Sequence, residues 1–243
     1  MAKLFQTLIP VLSSIALLLA IANTAWSQTT SFTYDFYGGP KPTDLLLQGD
    51  ANFPSGSTYL RLTRTDDSGN PLTYRVGRAV YSNPITFWLD GAQPVGSPIG
   101  FTGGSFGIFD ESGQNPSTFA VEFDIFTNPG VDPSYPHVGI DIESNVSKNT
   151  TDVGDALIGQ EVTARIDYEE ATKVISVHVT AGSKTFEVSY VYDLSTILPQ
   201  QVEVGISATT GGQVAVHDLI SWYFTSTLVH TSADRDAHIR QYV

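Results

Sequence analysis

An all-β fold, a single antiparallel sandwich, is what the residues of this chain call for, on three grounds. Short runs of alternating polar and apolar residues recur along most of its length, each closed by Gly, Pro, Asn or Asp, as half-buried strands and their turns are. Between residues 30 and 243 no amphipathic helical pattern of useful length interrupts them. The composition agrees: 15% of residues are charged, while Thr, Ser, Val, Tyr and Phe, which favour a pleated surface, are plentiful. With 243 residues, 41% of them hydrophobic, the chain can bury one large β core or two small ones.

The first 27 residues stand apart. Lys3 supplies a positive charge, residues 4–21 are largely apolar, and Ala25-Trp26-Ser27 places small residues at the −3 and −1 positions of a cleavage site. This reads as a secretory signal peptide, leaving residues 28–243 as the mature domain, secreted to an extracellular or vacuolar destination. No other stretch approaches the apolar length of a membrane span. Within the mature domain, strands are expected at 31–36, 45–48, 51–53, 59–64, 76–81 and 84–88, with a hairpin loop at 66–71. Further strands are expected at 119–126, 137–142, 161–168, 174–180, 184–192, 202–208 and 219–226. Residues 168–173 make a turn, 193–198 form a short helical turn before Pro199, and 230–243 fray.

The net charge of −13 argues against a nucleic-acid partner. Cysteine is absent, so stability must come from core size, bound metal or association of subunits. Asn145-Val-Ser147 and Asn149-Thr-Thr151 are N-glycosylation acceptors in a polar loop, in keeping with secretion.

The chemistry gathers in Val121-Glu122-Phe123-Asp124-Ile125-Phe126-Thr127-Asn128, followed by Asp132 and then by His137-Val138-Gly139-Ile140-Asp141. Glu122 and Asp124, two apart on a strand, leave the same face. Asn128 and Asp132 follow in a Pro/Gly-containing loop. Carboxylates this close need either raised pKa values or a cation, and the neighbouring amide and imidazole favour a cation. A solvated acidic loop is the alternative for any one of these residues alone. Oxygen ligands from Asp124, Asp132, the Asn128 side chain and the Phe126 carbonyl suit Ca²⁺. Glu122, Asp124, Asp132 and His137 suit Mn²⁺ or a similar ion, with both aspartates bridging.

These residues resemble the metal-binding segment of the legume lectins. The similarity continues through Val76-Gly-Arg-Ala-Val-Tyr-Ser82, Gly103-Gly-Ser-Phe-Gly-Ile-Phe109, Gly205-Ile-Ser-Ala-Thr-Thr-Gly211 and Leu219-Ile-Ser-Trp-Tyr-Phe-Thr-Ser226, in the family's order. The resemblance implies a jelly roll with a flat back sheet and a curved front sheet, Ca²⁺ and Mn²⁺ as cofactors, and glycans or glycoproteins as partners. It also implies association into dimers or tetramers. By resemblance, Phe126 is the platform for a sugar's apolar face and the Asn128 amide is divided, oxygen to calcium and NH₂ to a hydroxyl. Gly104 donates its backbone N–H, and Gly212 and Gln213 lie in a loop similar to that of the mannose/glucose-binding members.

One segment of the family is missing between Trp88 and Gly103. Asp90-Gly91 resembles the family's sugar-binding Asp-Gly but lacks the strand that follows it, and Asp-Gly is foremost a turn signal. A defence or storage protein that has lost sugar binding, similar to arcelins or amylase inhibitors, is therefore the competing expectation. Catalysis is not expected. Glu122-Phe-Asp124 resembles the start of the Glu-x-Asp-x-x-Glu strand of jelly-roll glycosidases, but Thr127 stands where the second catalytic carboxylate would be.

Overall fold

A computed structural model describes residues 26–38, 41–87 and 99–230. Among them every regular element is a strand or a three-residue or four-residue 3₁₀ turn, so the fold is all-β. The contact pattern divides the chain into two units, Met1–Phe32 with Phe224–Val243, and Thr33–Tyr223. The expected signal peptide lies outside the described residues up to position 25, and the expected frayed tail lies outside them from 231.

The first unit holds residues 26–32 of β1 (Trp26–Asp35) and 224–230 of β15 (Ser221–His230), two strands that pair as a ribbon. Thr29 Oγ1 meets Thr227 Oγ1 at 3.1 Å and the Phe32 and Phe224 rings stack at 5.3 Å. Within the second unit the ribbon continues, with Tyr34 against Trp222 at 5.9 Å and the Phe36 N–H on the Ile220 carbonyl at 3.1 Å. The partner numbers fall as β1 advances, so the two strands are antiparallel.

The second unit is built mainly of two three-stranded antiparallel sheets around one core. One orders β6 (Gln114–Asp124), β7 (His137–Ser144) and β8 (Asn149–Asp152); the other orders β11 (Lys184–Val191), β10 (Val174–Ala181) and β9 (Val162–Glu169). Val138, Ile140 and Ile142 of β7 pack with Ile175, Val177 and Val179 of β10, all nearly inaccessible to water. The period-2 rule explains the match, since each strand turns every second side chain inward. A third sheet orders β13 (Gly205–Thr209), β4 (Val76–Tyr81) and β2 (Leu45–Gly49). Gly77 is required in β4: a Cβ there would lie 1.9 Å from the Leu62 carbonyl oxygen.

Four sequence expectations need correction. The strand expected at 51–53 is one bridge, Asn52 with Arg61, because Pro54 has no N–H to extend it. Those expected at 59–64 and 84–88 shorten, among the described residues, to β3 (Leu60–Arg61) and β5 (Ile85–Thr86), which pair with β14 (Asp218–Leu219) and β12 (Gln201–Val202). Asn149, expected in a polar loop, instead begins β8, whose Asn-Thr-Thr-Asp sequence has no apolar alternation and so gives no strand signal.

Candidate metal centre and ligand cleft

The β6–β7 register builds the acidic cluster. Asp124 pairs with His137, Glu122 with Gly139 and Ala120 with Asp141. While Val138, Ile140 and Ile142 face the core, the alternate residues His137, Gly139 and Asp141 share the opposite face with Glu122 and Asp124. Gly139 leaves the space they occupy: a Cβ there would meet Glu122 Oε1 at 2.5 Å and Ser147 Oγ at 2.0 Å. Glu122, Asp124, His137 and Asp141 are all buried. Ligand atoms of Glu122, Asp124 and His137 lie within 4.8 Å of one another, a grouping that could hold a metal ion.

His137 Nε2 is 2.7 Å from Glu122 Oε1, and its Nδ1 is 3.3 Å from the Tyr135 carbonyl. A carbonyl only accepts, so Nδ1 carries a proton and Nε2 is the nitrogen a metal could take. Burial alone lowers the imidazole's pKa, but the hydrogen bond and charge of Glu122, with Asp124 and Asp132 behind it, raise it overall. Burial pushes Asp124 up to about 6, assisted by the charges of Asp132 and Glu122 and opposed by the Phe126 N–H. Burial likewise pushes Asp141 up to about 8, with the Glu122 charge adding to it. Ser147 Oγ sits between Asp141 Oδ1, at 2.7 Å, and Glu122 Oε1.

Glu122 Oε2, Asp124 Oδ2 and Asp141 Oδ2 are buried and have no hydrogen-bond partner. An unpaired buried carboxylate oxygen is costly, and three in one cluster fit a cation as the missing partner. The donor set is therefore chemically suited to a divalent ion.

The loop after β6 carries the ligand cleft. Phe126 exposes 49% of its surface, a large apolar face open to solvent. The Asn128 side-chain NH₂ donates to Asp132 Oδ2 at 2.8 Å and points to the Phe126 carbonyl at 3.5 Å. The amide's NH₂ end thus faces both acceptors. Asp132 is only half-buried, at the margin of the cluster.

Gly104 belongs to a 3₁₀ turn, Gly103–Ser105, fastened to β13 and the residue after it by the Gly103 N–H on the Thr210 carbonyl (3.2 Å) and Thr209 Oγ1 on the Gly103 carbonyl (2.6 Å). A Cβ on Gly104 would lie 3.2 Å from Asn128 Nδ2, so glycine permits the loop to close on that side chain. Gly103 in turn approaches Gly211, and Gly212 and Gln213 are exposed next to it in sequence. The structure thus brings together Gly104, Asn128, Phe126 and the 211–213 loop. Asp90 lies outside the described residues.

The contacts that four residues make at the site escaped the sequence reading. Asp141 and Ser147 complete the cluster, and the spacing His137-x-Gly139-x-Asp141 was the available signal for Asp141. Tyr74, 68% exposed, holds an unfavourable φ of 54° beside the same loop, its N–H on the Gly211 carbonyl at 3.1 Å. Asn145, read as a glycosylation acceptor, is half-buried with its Nδ2 on the Gly104 carbonyl at 2.8 Å; Asn149 is exposed with its Nδ2 on the Ser189 carbonyl at 2.8 Å.

Antiparallel sheets around an apolar core, a buried acidic cluster suited to a cation, a glycine turn and an exposed aromatic ring describe an all-β protein with a candidate binding site. Comparison with known proteins narrows this. Residues 92–240 match the legume lectin domain. Agglutinin-2 of Cladrastis kentukea is 35% identical, over 97% of this chain and 94% of its own. An alpha-methyl-mannoside-specific lectin of Arachis hypogaea is 34% identical, over 93% of this chain and 95% of its own. The lectin of Bauhinia forficata in complex with GalNAc superimposes with a TM-score of 0.72 at 30% identity, covering 84% of this chain and all of that one (100%). The chain belongs to the legume lectin family, a family of carbohydrate-binding proteins without catalytic activity.

Proposed function

We propose that this protein is a secreted lectin whose glycan binding depends on Ca²⁺ and Mn²⁺, with specificity of the mannose/glucose type. The observation that carries the reading is the set of three buried carboxylate oxygens without partners around His137, next to a loop bearing Phe126 and Asn128. Asp124, Asp132, the Asn128 oxygen and the Phe126 carbonyl would hold Ca²⁺, while Glu122, Asp124, Asp132 and His137 would hold Mn²⁺. When bound, the ions supply the positive charge that fixes the acidic strand and its loop in one arrangement.

The chain's own residues then do the recognition. Phe126 offers its face to the apolar side of a pyranose. Once the Asn128 amide turns its oxygen from the cleft, its NH₂ becomes a donor to a sugar hydroxyl, and Gly104 supplies a backbone N–H beside it. A loop ordered before the sugar arrives loses less entropy on binding. Gly212 and Gln213 close the rim and set specificity. The mannose/glucose assignment is supported by the similarity of residues 209–213 to that class and by the alpha-methyl-mannoside specificity of the Arachis relative. The Bauhinia relative's complex with GalNAc makes galactose-type sugars the informative counter-ligands.

Titration calorimetry with methyl α-mannoside and with GalNAc, before and after chelation and after reloading with both ions, tests this. Mannoside binding that vanishes on chelation and returns on reloading is expected. Sugar binding indifferent to the chelator, or no sugar binding by metal-loaded protein, rejects the proposal; the latter points to a defence or storage role.

A further inference from the structure

One turn, residues 145–148 between β7 and β8, carries two side chains into different parts of the site. Ser147 reaches the acidic cluster, bridging Glu122 and Asp141. Asn145 reaches the other way. Its N–H is held by the Gly113 carbonyl at 3.0 Å, and its carboxamide fills the space a Cβ on Gly113 would need. From there Nδ2 donates to the Gly104 carbonyl at 2.8 Å, across 41 residues of chain. Gly104 is thereby held on two sides, its carbonyl by Asn145 and its Cα against Asn128.

We propose that Asn145 is a positioning residue for the Gly104 loop, and that glycosylation of Asn145 and sugar binding exclude one another. The inference rests on the lectin reading above. Thr209 and Thr210 hold Gly103, while the Gly104 carbonyl is held by the Asn145 amide, so Asn145 fixes the orientation of the Gly104 peptide. N-glycosylation uses the same nitrogen: a bond forms from Nδ2 to the anomeric carbon of a glycosyl diphosphate donor, the diphosphate leaves, and one Nδ2 proton passes to solvent. A half-buried nitrogen 2.8 Å from the Gly104 oxygen leaves no room for a pyranose ring without moving the loop. Asn149 differs, since its amide contacts Ser189 on β11 and not the glycine loop.

The test compares the wild-type full-length chain with Asn145→Ala and Asn149→Gln, each secreted from eukaryotic cells and loaded with Ca²⁺ and Mn²⁺. Two readouts are taken: affinity for methyl α-mannoside and amide hydrogen exchange in residues 103–108 without sugar. Asn145→Ala is expected to weaken sugar binding about tenfold, the size of one lost tether, and to speed exchange at Phe106 and Ile108. Its metal content should stay at the wild-type value, its thermal midpoint should fall by no more than a few degrees, and Asn149→Gln should match wild type in sugar affinity and in exchange at 103–108. Unchanged exchange in Asn145→Ala overturns the positioning role, whatever happens to affinity. Should the wild type bind no sugar while exchange still rises, the tether stands and the lectin reading falls. Peptide mass spectrometry of wild-type chains retained on a mannose column should find Asn145 unmodified. A glycan there on retained chains overturns the exclusion.

Discussion

Replacing Asp141 by asparagine (Asp141→Asn) should stabilise the cation-free protein at neutral pH and leave it unchanged near pH 4. Asp141 is 0% exposed, its Oδ2 has no partner, and burial, with the Glu122 charge adding to it, pushes its carboxyl up to about 8 from an ordinary 3.8. Between those values the folded chain holds a proton that the unfolded chain has released, so wild-type stability falls as pH rises through this range. At pH 7 the difference amounts to about 4 kcal/mol at about 1.36 kcal/mol per pH unit. Water entry and side-chain movement relieve part of it, leaving a gain of about 2–4 kcal/mol for the variant. Asparagine keeps an acceptor for Ser147 Oγ and places a donor where Oδ2 now has no partner. For a domain of this size that gain raises the thermal midpoint by roughly 5–15 °C. Thermal unfolding of both proteins in chelator at pH 4, 6 and 8 reads the difference directly, and taking the difference cancels the titration of distant groups. The advantage should grow with pH, and it should shrink once Ca²⁺ and Mn²⁺ neutralise the neighbouring charge. An advantage constant from pH 4 to pH 8 would falsify the account of Asp141 as a buried carboxyl held neutral by its surroundings.

Three other outcomes follow from the same geometry. His137 and Asp124, both with raised pKa values, act in the same direction as Asp141. Chelated wild-type protein should therefore lose stability as pH climbs from 5 to 8, measured as the urea midpoint, whereas a rise would contradict the sign worked out here. Gly139→Ala drives a methyl into the space of Glu122 and Ser147, so elemental analysis should find Mn²⁺ lost while circular dichroism keeps its β spectrum. Full Mn²⁺ content in that variant would mean Glu122 is not needed at the centre. Ile140→Ala opens the core between β7 and β10 and should cost about 2–5 kcal/mol in denaturant unfolding; a cost below about 1 kcal/mol would show that the two sheets do not share that core.

Long alternating strands were legible because each carries its own signal. Residues 174–181 bury every second side chain, and that pattern identifies the strand without reference to its partners. β8 was not legible, since its four polar residues become a strand only through the ladder to β7. The acidic stretch could be identified as a ligand set from residue types, but its arrangement depends on the β6–β7 register, which sets Gly139 opposite Glu122 and brings Asp141 onto the same face. The hydrogen bond from the Asn128 NH₂ to Asp132 was likewise illegible, since it depends on how the loop folds back four residues. Asn145 was legible as a tripeptide for modification and illegible as a tether, since its partner Gly104 is brought near only by the folded loops.

The antiparallel pairing of β1 with β15 sets how the molecule answers a pull. Trp26 and His230 lie at the same end of that ribbon, so tension applied through the two chain ends opens its hydrogen bonds one after another instead of loading them together. A pull through Trp26 and His230 should therefore unzip the ribbon from Thr29 and Thr227 toward the stacked rings of Phe32 and Phe224.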